Sequence, residues 1–86
     1  MENGVTQRIF IVEDNDWYQK LLVHTVSLNP DYETEAFSTG KELLSRLNDE
    51  VPDLITMDYR LPDISGEELL EKIKAMCPGT LFIVIS

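Results

Sequence analysis

Eighty-six residues, with 16 Asp and Glu against 7 Lys and Arg and a net charge of −9, describe one acidic domain with a modest core. An acidic surface repels phosphates, which argues against nucleic acid and membranes as partners and leaves cations or basic protein surfaces. The lone Cys77 excludes an internal disulfide and fits a cytoplasmic chain, Met1 precedes no signal-peptide pattern, and no apolar run reaches the ~20 residues of a membrane span.

Met1–Gln7 is polar and expected to fray. Arg8–Val12 reads as strand 1, and Glu13-Asp14-Asn15-Asp16 as a strand-to-helix turn with Asn15 or Asp16 as N-cap. Tyr18, Leu21, Leu22, Thr25 and Val26 recur at helical spacing, which predicts helix 1 over Asp16–Leu28, stopped by Asn29-Pro30-Asp31. Tyr32–Phe37 alternates weakly, as a short strand 2 would. Thr39-Gly40-Lys41-Glu42 has the capping-box pattern and opens helix 2, with Leu43, Leu44 and Leu47 inward. Pro52-Asp53 leads into strand 3, the apolar run Leu54–Met57 that stops at Asp58. Ser65-Gly66-Glu67-Glu68 repeats the capping-box pattern before helix 3, whose apolar stripe is Leu69, Leu70, Ile73 and Met76. Pro78-Gly79 ends it, Cys77 packs at its end, and Leu81–Ile85 is strand 4.

The order βαβαβαβ implies an α/β fold with a parallel sheet and right-handed crossovers, strand 1 lying between strands 2 and 3. Three of the apolar runs stop at a polar group: Ile9–Val12 at Glu13-Asp14, Leu54–Met57 at Asp58, and Leu81–Ile85 at Ser86. Open α/β sheets place their ligands at the carboxyl ends of strands, where the winding reverses. The four groups therefore describe one site. Each also has a structural reading. Asp58 could cap or solvate a loop, Glu13 and Asp14 could complement the dipole of helix 1, and Ser86 could be only the last residue. His24 reads as a solvated residue on the flank of helix 1. Trp17 either overhangs the site or is half exposed, and Asp53, Asp63, Glu67 and Glu68 read as surface charge or helix-start residues.

Glu13-Asp14 after strand 1, the run Asp58-Tyr59-Arg60-Leu61-Pro62-Asp63-Ile64-Ser65-Gly66 after strand 3, and Ser86 after strand 4 resemble the receiver domain of two-component response regulators. The resemblance covers about Arg8 to Ser86. It implies a flavodoxin-like doubly wound sheet of strand order 2-1-3-4, and a phosphoryl group passed from a sensor histidine kinase or phosphotransfer protein to Asp58. It also implies Mg²⁺ held by Asp14, by Glu13 through a water, by Asp58, and by the backbone carbonyl of Arg60. Ser86 would contact the phosphoryl oxygen. Three close carboxylates repel one another, and a hard cation that favours a few carboxylate oxygens relieves the repulsion.

The family continues beyond strand 4 with a helix, a fifth strand ending in a lysine, and a last helix. The 86 residues read as a receiver domain lacking that portion, because Lys20, Lys41, Lys72 and Lys74 all fall in helices. Two other readings stand beside the phosphoacceptor: a degenerate receiver serving only as an interaction module, and an aspartyl-phosphate phosphohydrolase. The latter class usually carries a second Asp two residues after the nucleophile, where this chain has Arg60. Strand 4 is apolar, without charge or proline, and its open edge predicts a homo-oligomer paired through that strand.

Overall fold

The computed structural model describes residues 6–85. They form β1 (Gln7–Val12), α1 (Asp16–Ser27), β2 (Tyr32–Phe37), α2 (Gly40–Leu47), β3 (Leu54–Asp58), α3 (Gly66–Met76) and β4 (Leu81–Ile85). All four strands are parallel and lie in the order β2-β1-β3-β4. The expected α/β architecture and strand order are therefore what the chain adopts. Ser86 and residues 1–5 lie outside the described residues.

Alternation along the strands divides the apolar residues between two layers. Phe10, Val12, Ile55 and Met57 join Leu43 and Leu47 of α2 and Leu69 and Ile73 of α3 in the main core. Phe10 meets Phe37 edge-on, their ring centres 5.2 Å apart. Ile9 and Ile11 face the other side of the sheet, toward α1, and are just as buried. A strand covered on both faces needs a continuous apolar run, and this is why Ile9–Val12 shows no alternation in sequence.

Three helix starts follow from the capping residues. Asn15 Oδ1 accepts the Tyr18 N–H at 2.9 Å. Thr39 and Glu42 close a full capping box. At α3 only half of that pattern forms: Ser65 Oγ accepts the Glu68 N–H at 3.2 Å, and among the described residues no bond returns from Glu68 to the Ser65 N–H.

Two helix faces differ from expectation. In α1 the partly buried positions are Gln19, Leu22, Val23 and Val26, while Tyr18, Leu21 and Thr25 are exposed. The helix is rotated by about one residue from the expected stripe. A glutamine occupies one inward position because its side chain donates to the Glu13 carbonyl at 2.9 Å, and that polar residue hid the true face. In α3 the buried positions are Gly66, Leu69 and Ile73, followed by Cys77. Met76 falls one position off this line, and its exposed side chain lines a groove between α2 and α3 with Leu44, Ser45, Asn48, Lys72 and Ala75.

At the amino ends of the strands, Arg8 and Arg46 share Glu35 and Glu50, joining β1, β2 and α2. The contacts run from 2.8 to 3.3 Å. Partly exposed pairs of this kind contribute little singly and more as a network. The acidic end of the sheet lies opposite.

Candidate functional site

The carboxyl ends of β1 and β3 carry the acids. Because β1 and β3 are neighbours, with Val12 beside Met57, the residues that follow them emerge side by side. Carboxylate oxygens of Glu13, Asp14 and Asp58 all lie within 4.8 Å of one another. Glu13 is buried, Asp58 half-buried and Asp14 exposed. The cluster therefore opens to solvent on one side and rests on the sheet on the other.

Two of the three acids, Glu13 and Asp58, are held by backbone N–H groups. The Glu13 N–H donates to the Phe37 carbonyl at 2.9 Å, tying the turn to β2. Glu13 Oε2 accepts the Asn15 N–H at 3.2 Å. Gln19 Nε2, besides its bond to the Glu13 carbonyl, reaches Ser38 Oγ at 3.5 Å. Asp58 Oδ1 accepts the Arg60 N–H at 3.0 Å, and the N–H between them, of Tyr59, donates to the Ile85 carbonyl at 3.2 Å.

Burial pushes the Glu13 carboxyl above its ordinary range. The Asn15 N–H opposes the shift, while Asp58 and Asp14 add to it. Three acids packed this closely, one of them buried, make a poor resting state for three negative charges. The donor set answers the question of fit: two or three carboxylate oxygens facing solvent suit a hard divalent cation that keeps several waters. Glu13, Asp14 and Asp58 would hold it.

Of the expected site residues, the fold brings Glu13, Asp14 and Asp58 together and places Arg60 in the loop that follows. Ser86 is the one beyond the described residues. Trp17 is 72% exposed in the first turn of α1, and His24 is exposed on the same helix. Asp63 has a specific place that its sequence neighbourhood did not suggest. Its two carboxylate oxygens accept the N–H groups of Gly40 and Lys41 at 3.0 and 2.9 Å. Gln19 was also missed. Neither residue has a local signature: Asp63 acts on backbone groups 22 and 23 residues away, and Gln19 bridges the Glu13 carbonyl and Ser38 Oγ.

The sequence profile described as "Response regulator receiver domain" matches residues 9–86. The polar-differentiation response regulator DivK of Brucella ovis is 37% identical over 70 residues, which are 81% of this chain and 56% of that protein. A protein-glutamate methylesterase/protein-glutamine glutaminase of Rhizobium johnstonii is 31% identical over 72 residues, 83% of this chain and 20% of that one. Among solved structures, the non-phosphorylated HemR receiver domain from Leptospira biflexa superposes with a TM-score of 0.82 at 28% identity, covering 92% of this chain and 63% of that one. A signal receiver domain from Vibrio parahaemolyticus gives 0.83 at 30% identity, covering 92% and 60%. The chain thus spans about half the length of the first of these relatives.

Proposed function

Because the chain belongs to the response regulator receiver domain family, whose members serve two-component signalling, we propose that it accepts a phosphoryl group on Asp58. The donor is a phosphohistidine on a sensor histidine kinase or phosphotransfer protein. The observation that carries this reading is the convergence of three carboxylates within 4.8 Å at the ends of β1 and β3, with Asp58 half-buried at a strand end. Among the described residues no helix is long and apolar enough to cross a membrane; we place the chain in the cytoplasm because its family is that of two-component receivers.

The step is a displacement at phosphorus. A carboxylate oxygen of Asp58 bonds to the phosphorus as the donor's N–P bond breaks, and the imidazole nitrogen leaves with the electron pair. Backbone geometry orients the nucleophile: the Arg60 N–H holds one Asp58 oxygen, leaving the other to attack. Glu13 and Asp14 supply negative charge that a cation must balance before a phosphoryl group can approach. Mg²⁺ held by Glu13, Asp14, Asp58 and the Arg60 carbonyl would provide that balance and neutralise charge on the transferred group. Ser86 would donate its hydroxyl to a phosphoryl oxygen.

Partners include a second copy of this chain. Among the described residues β4 is paired on its β3 side only, and we propose that it associates through its other edge.

Incubation with Mg²⁺ and acetyl phosphate, read by intact mass, tests the chemistry. A single phosphoryl adduct is expected, absent in Asp58→Asn and absent without Mg²⁺. An adduct that survives in Asp58→Asn would falsify the acceptor assignment. Turnover of acetyl phosphate with no adduct would instead indicate a phosphohydrolase, and no reaction an interaction module.

A further inference from the structure

The loop between β3 and α3 is a closed turn with an anchored tip. Arg60 and Ser65 pair as an isolated antiparallel bridge, so the four residues between them form a short tip, of which Leu61 and Ile64 pack against the main core. That tip does not hang free. Asp63 Oδ1 accepts the Gly40 N–H at 3.0 Å and Asp63 Oδ2 accepts the Lys41 N–H at 2.9 Å. Beside it, the Ile64 methyl lies so close over Gly40 that it occupies the place of a Cβ there. A side chain at residue 40 would have to displace that Ile64 methyl.

These contacts complete the start of α2 from outside the helix. The capping box supplies an acceptor to the Glu42 N–H through Thr39 Oγ1. The N–H groups of Gly40 and Lys41 are the remaining early donors of the helix, and they find their acceptor in a residue 23 and 22 positions away. An anionic clamp also complements the positive end of the helix dipole. The backbone bonds lower the Asp63 pKa against an opposing effect of burial.

The same loop carries the metal-side groups. Arg60 sits at the base of the tip, bridged to Ser65 and donating its N–H to Asp58 Oδ1. We propose that Asp63 is a positioning residue for the acid site: by clamping the tip to α2 it sets where Arg60 stands relative to Asp58. This deepens, and rests on, the reading of the acids as a cation site. α2 is the rigid reference, the tip is the lever, and the Arg60–Ser65 bridge transmits its position to the oxygen that would face the cation.

The test compares Asp63→Ala with Thr39→Ala in the full chain. Both remove a cap from the same helix end, but only the first releases the loop. Titration calorimetry with Mg²⁺ alone gives the affinity, and amide hydrogen exchange in the absence of metal reads the clamp. Asp63→Ala should speed exchange at Gly40, Lys41 and the bridge residues and raise the Mg²⁺ Kd about tenfold, the low end of what outer partners of metal ligands contribute. Thr39→Ala should lower the melting temperature and leave the Kd unchanged. Asp63→Asn, which keeps one acceptor, should fall between wild type and Asp63→Ala and serves if the alanine variant does not fold. Faster exchange in Asp63→Ala with a wild-type Kd overturns the proposal, because the clamp then caps a helix and no more. So does an equal loss of affinity in both variants, which assigns the effect to general stability. A wild-type chain indifferent to Mg²⁺ removes the cation reading and the positioning role together. In that case the exchange data still show whether the clamp exists, which separates the two failures.

Discussion

Glu13 is the residue whose environment most contradicts its chemistry. It is buried at the end of a central strand beside two other acids, and its carboxyl is raised above the ordinary 4.5. In the metal-free chain the unfolded state therefore releases this proton before the folded state does. Its contribution to stability is fully present below 4.5 and is lost as pH rises through the raised folded value. Asp63 has the opposite sign. Its folded value lies below the ordinary 3.8, so its stabilisation is present above 3.8 and is lost as pH falls through the lower folded value. Urea midpoints measured against pH should separate the two. Glu13→Gln should flatten the decline above 4.5, and Asp63→Asn the decline below 3.8. Millimolar Mg²⁺ should offset the Glu13 decline in the wild type, because a bound cation favours the ionised carboxylate. A Glu13→Gln profile identical to wild type would remove burial and charge crowding as the source.

At the scale of elements, the start of α3 is where the fold leaves least room. Gly66 is buried, and a Cβ there would stand 2.6 Å from a Tyr59 ring carbon and 2.9 Å from the Tyr59 backbone oxygen. The ring could turn, but the Tyr59 carbonyl belongs to the loop that leaves Asp58 and cannot move without shifting it. Tyr59 is itself held, its hydroxyl donating to Glu67 Oε1 at 3.0 Å. Helix propensity would favour alanine over glycine by about 1 kcal/mol. Overpacking costs about 1–3 kcal/mol, so the steric cost should win. Gly66→Ala is expected to lower the melting temperature, by about 4–8 °C for each kcal/mol in a domain of this size. A rise on thermal denaturation would show that the loop yields freely. The rotation of α1 belongs to this scale too. Its inward Gln19 ties the helix to the Glu13 carbonyl, so the helix is set by a polar anchor as well as by apolar area.

At the scale of the molecule, β4 is apolar and, among the described residues, paired on its β3 side only. The Leu81 N–H donates to the Asp53 carbonyl and the Ile85 carbonyl accepts from Tyr59, so the odd-numbered backbone groups of β4 face β3. By alternation, those of Phe82 and Val84 point away from it. Leu81 is 72% and Ile83 52% exposed, on the sheet face opposite the main core. An antiparallel pairing of two copies with Phe82 opposite the second copy's Val84 would match every outward donor with an acceptor and set Ile83 beside its twin. Net charge of −9 on each copy opposes this, but the strand itself carries none. Phe82→Lys or Val84→Lys should shift sedimentation toward monomer, and a wild-type chain that stays monomeric over a wide concentration range ends the idea.

What the sequence determined by itself was whatever local chemistry could specify. Apolar runs located β1, β3 and β4 and a weak alternation located β2, caps such as Thr39 and Ser65 located the helix starts, and the order of elements implied a parallel sheet with β1 between β2 and β3. The acids at strand ends then followed, because a strand's last residue delivers its neighbours to the sheet edge whatever lies beyond. The tertiary structure decided the rest, since it depends on distances between residues remote in sequence. Only the fold shows that Glu13 is buried while Asp14 is exposed, or that α1 turns its Gln19 inward. Only the fold brings Asp63, 23 residues along the chain, to the Gly40 N–H. A carboxylate that caps a distant helix leaves no period and no motif in the chain, for its partner is a backbone group that every residue but proline possesses.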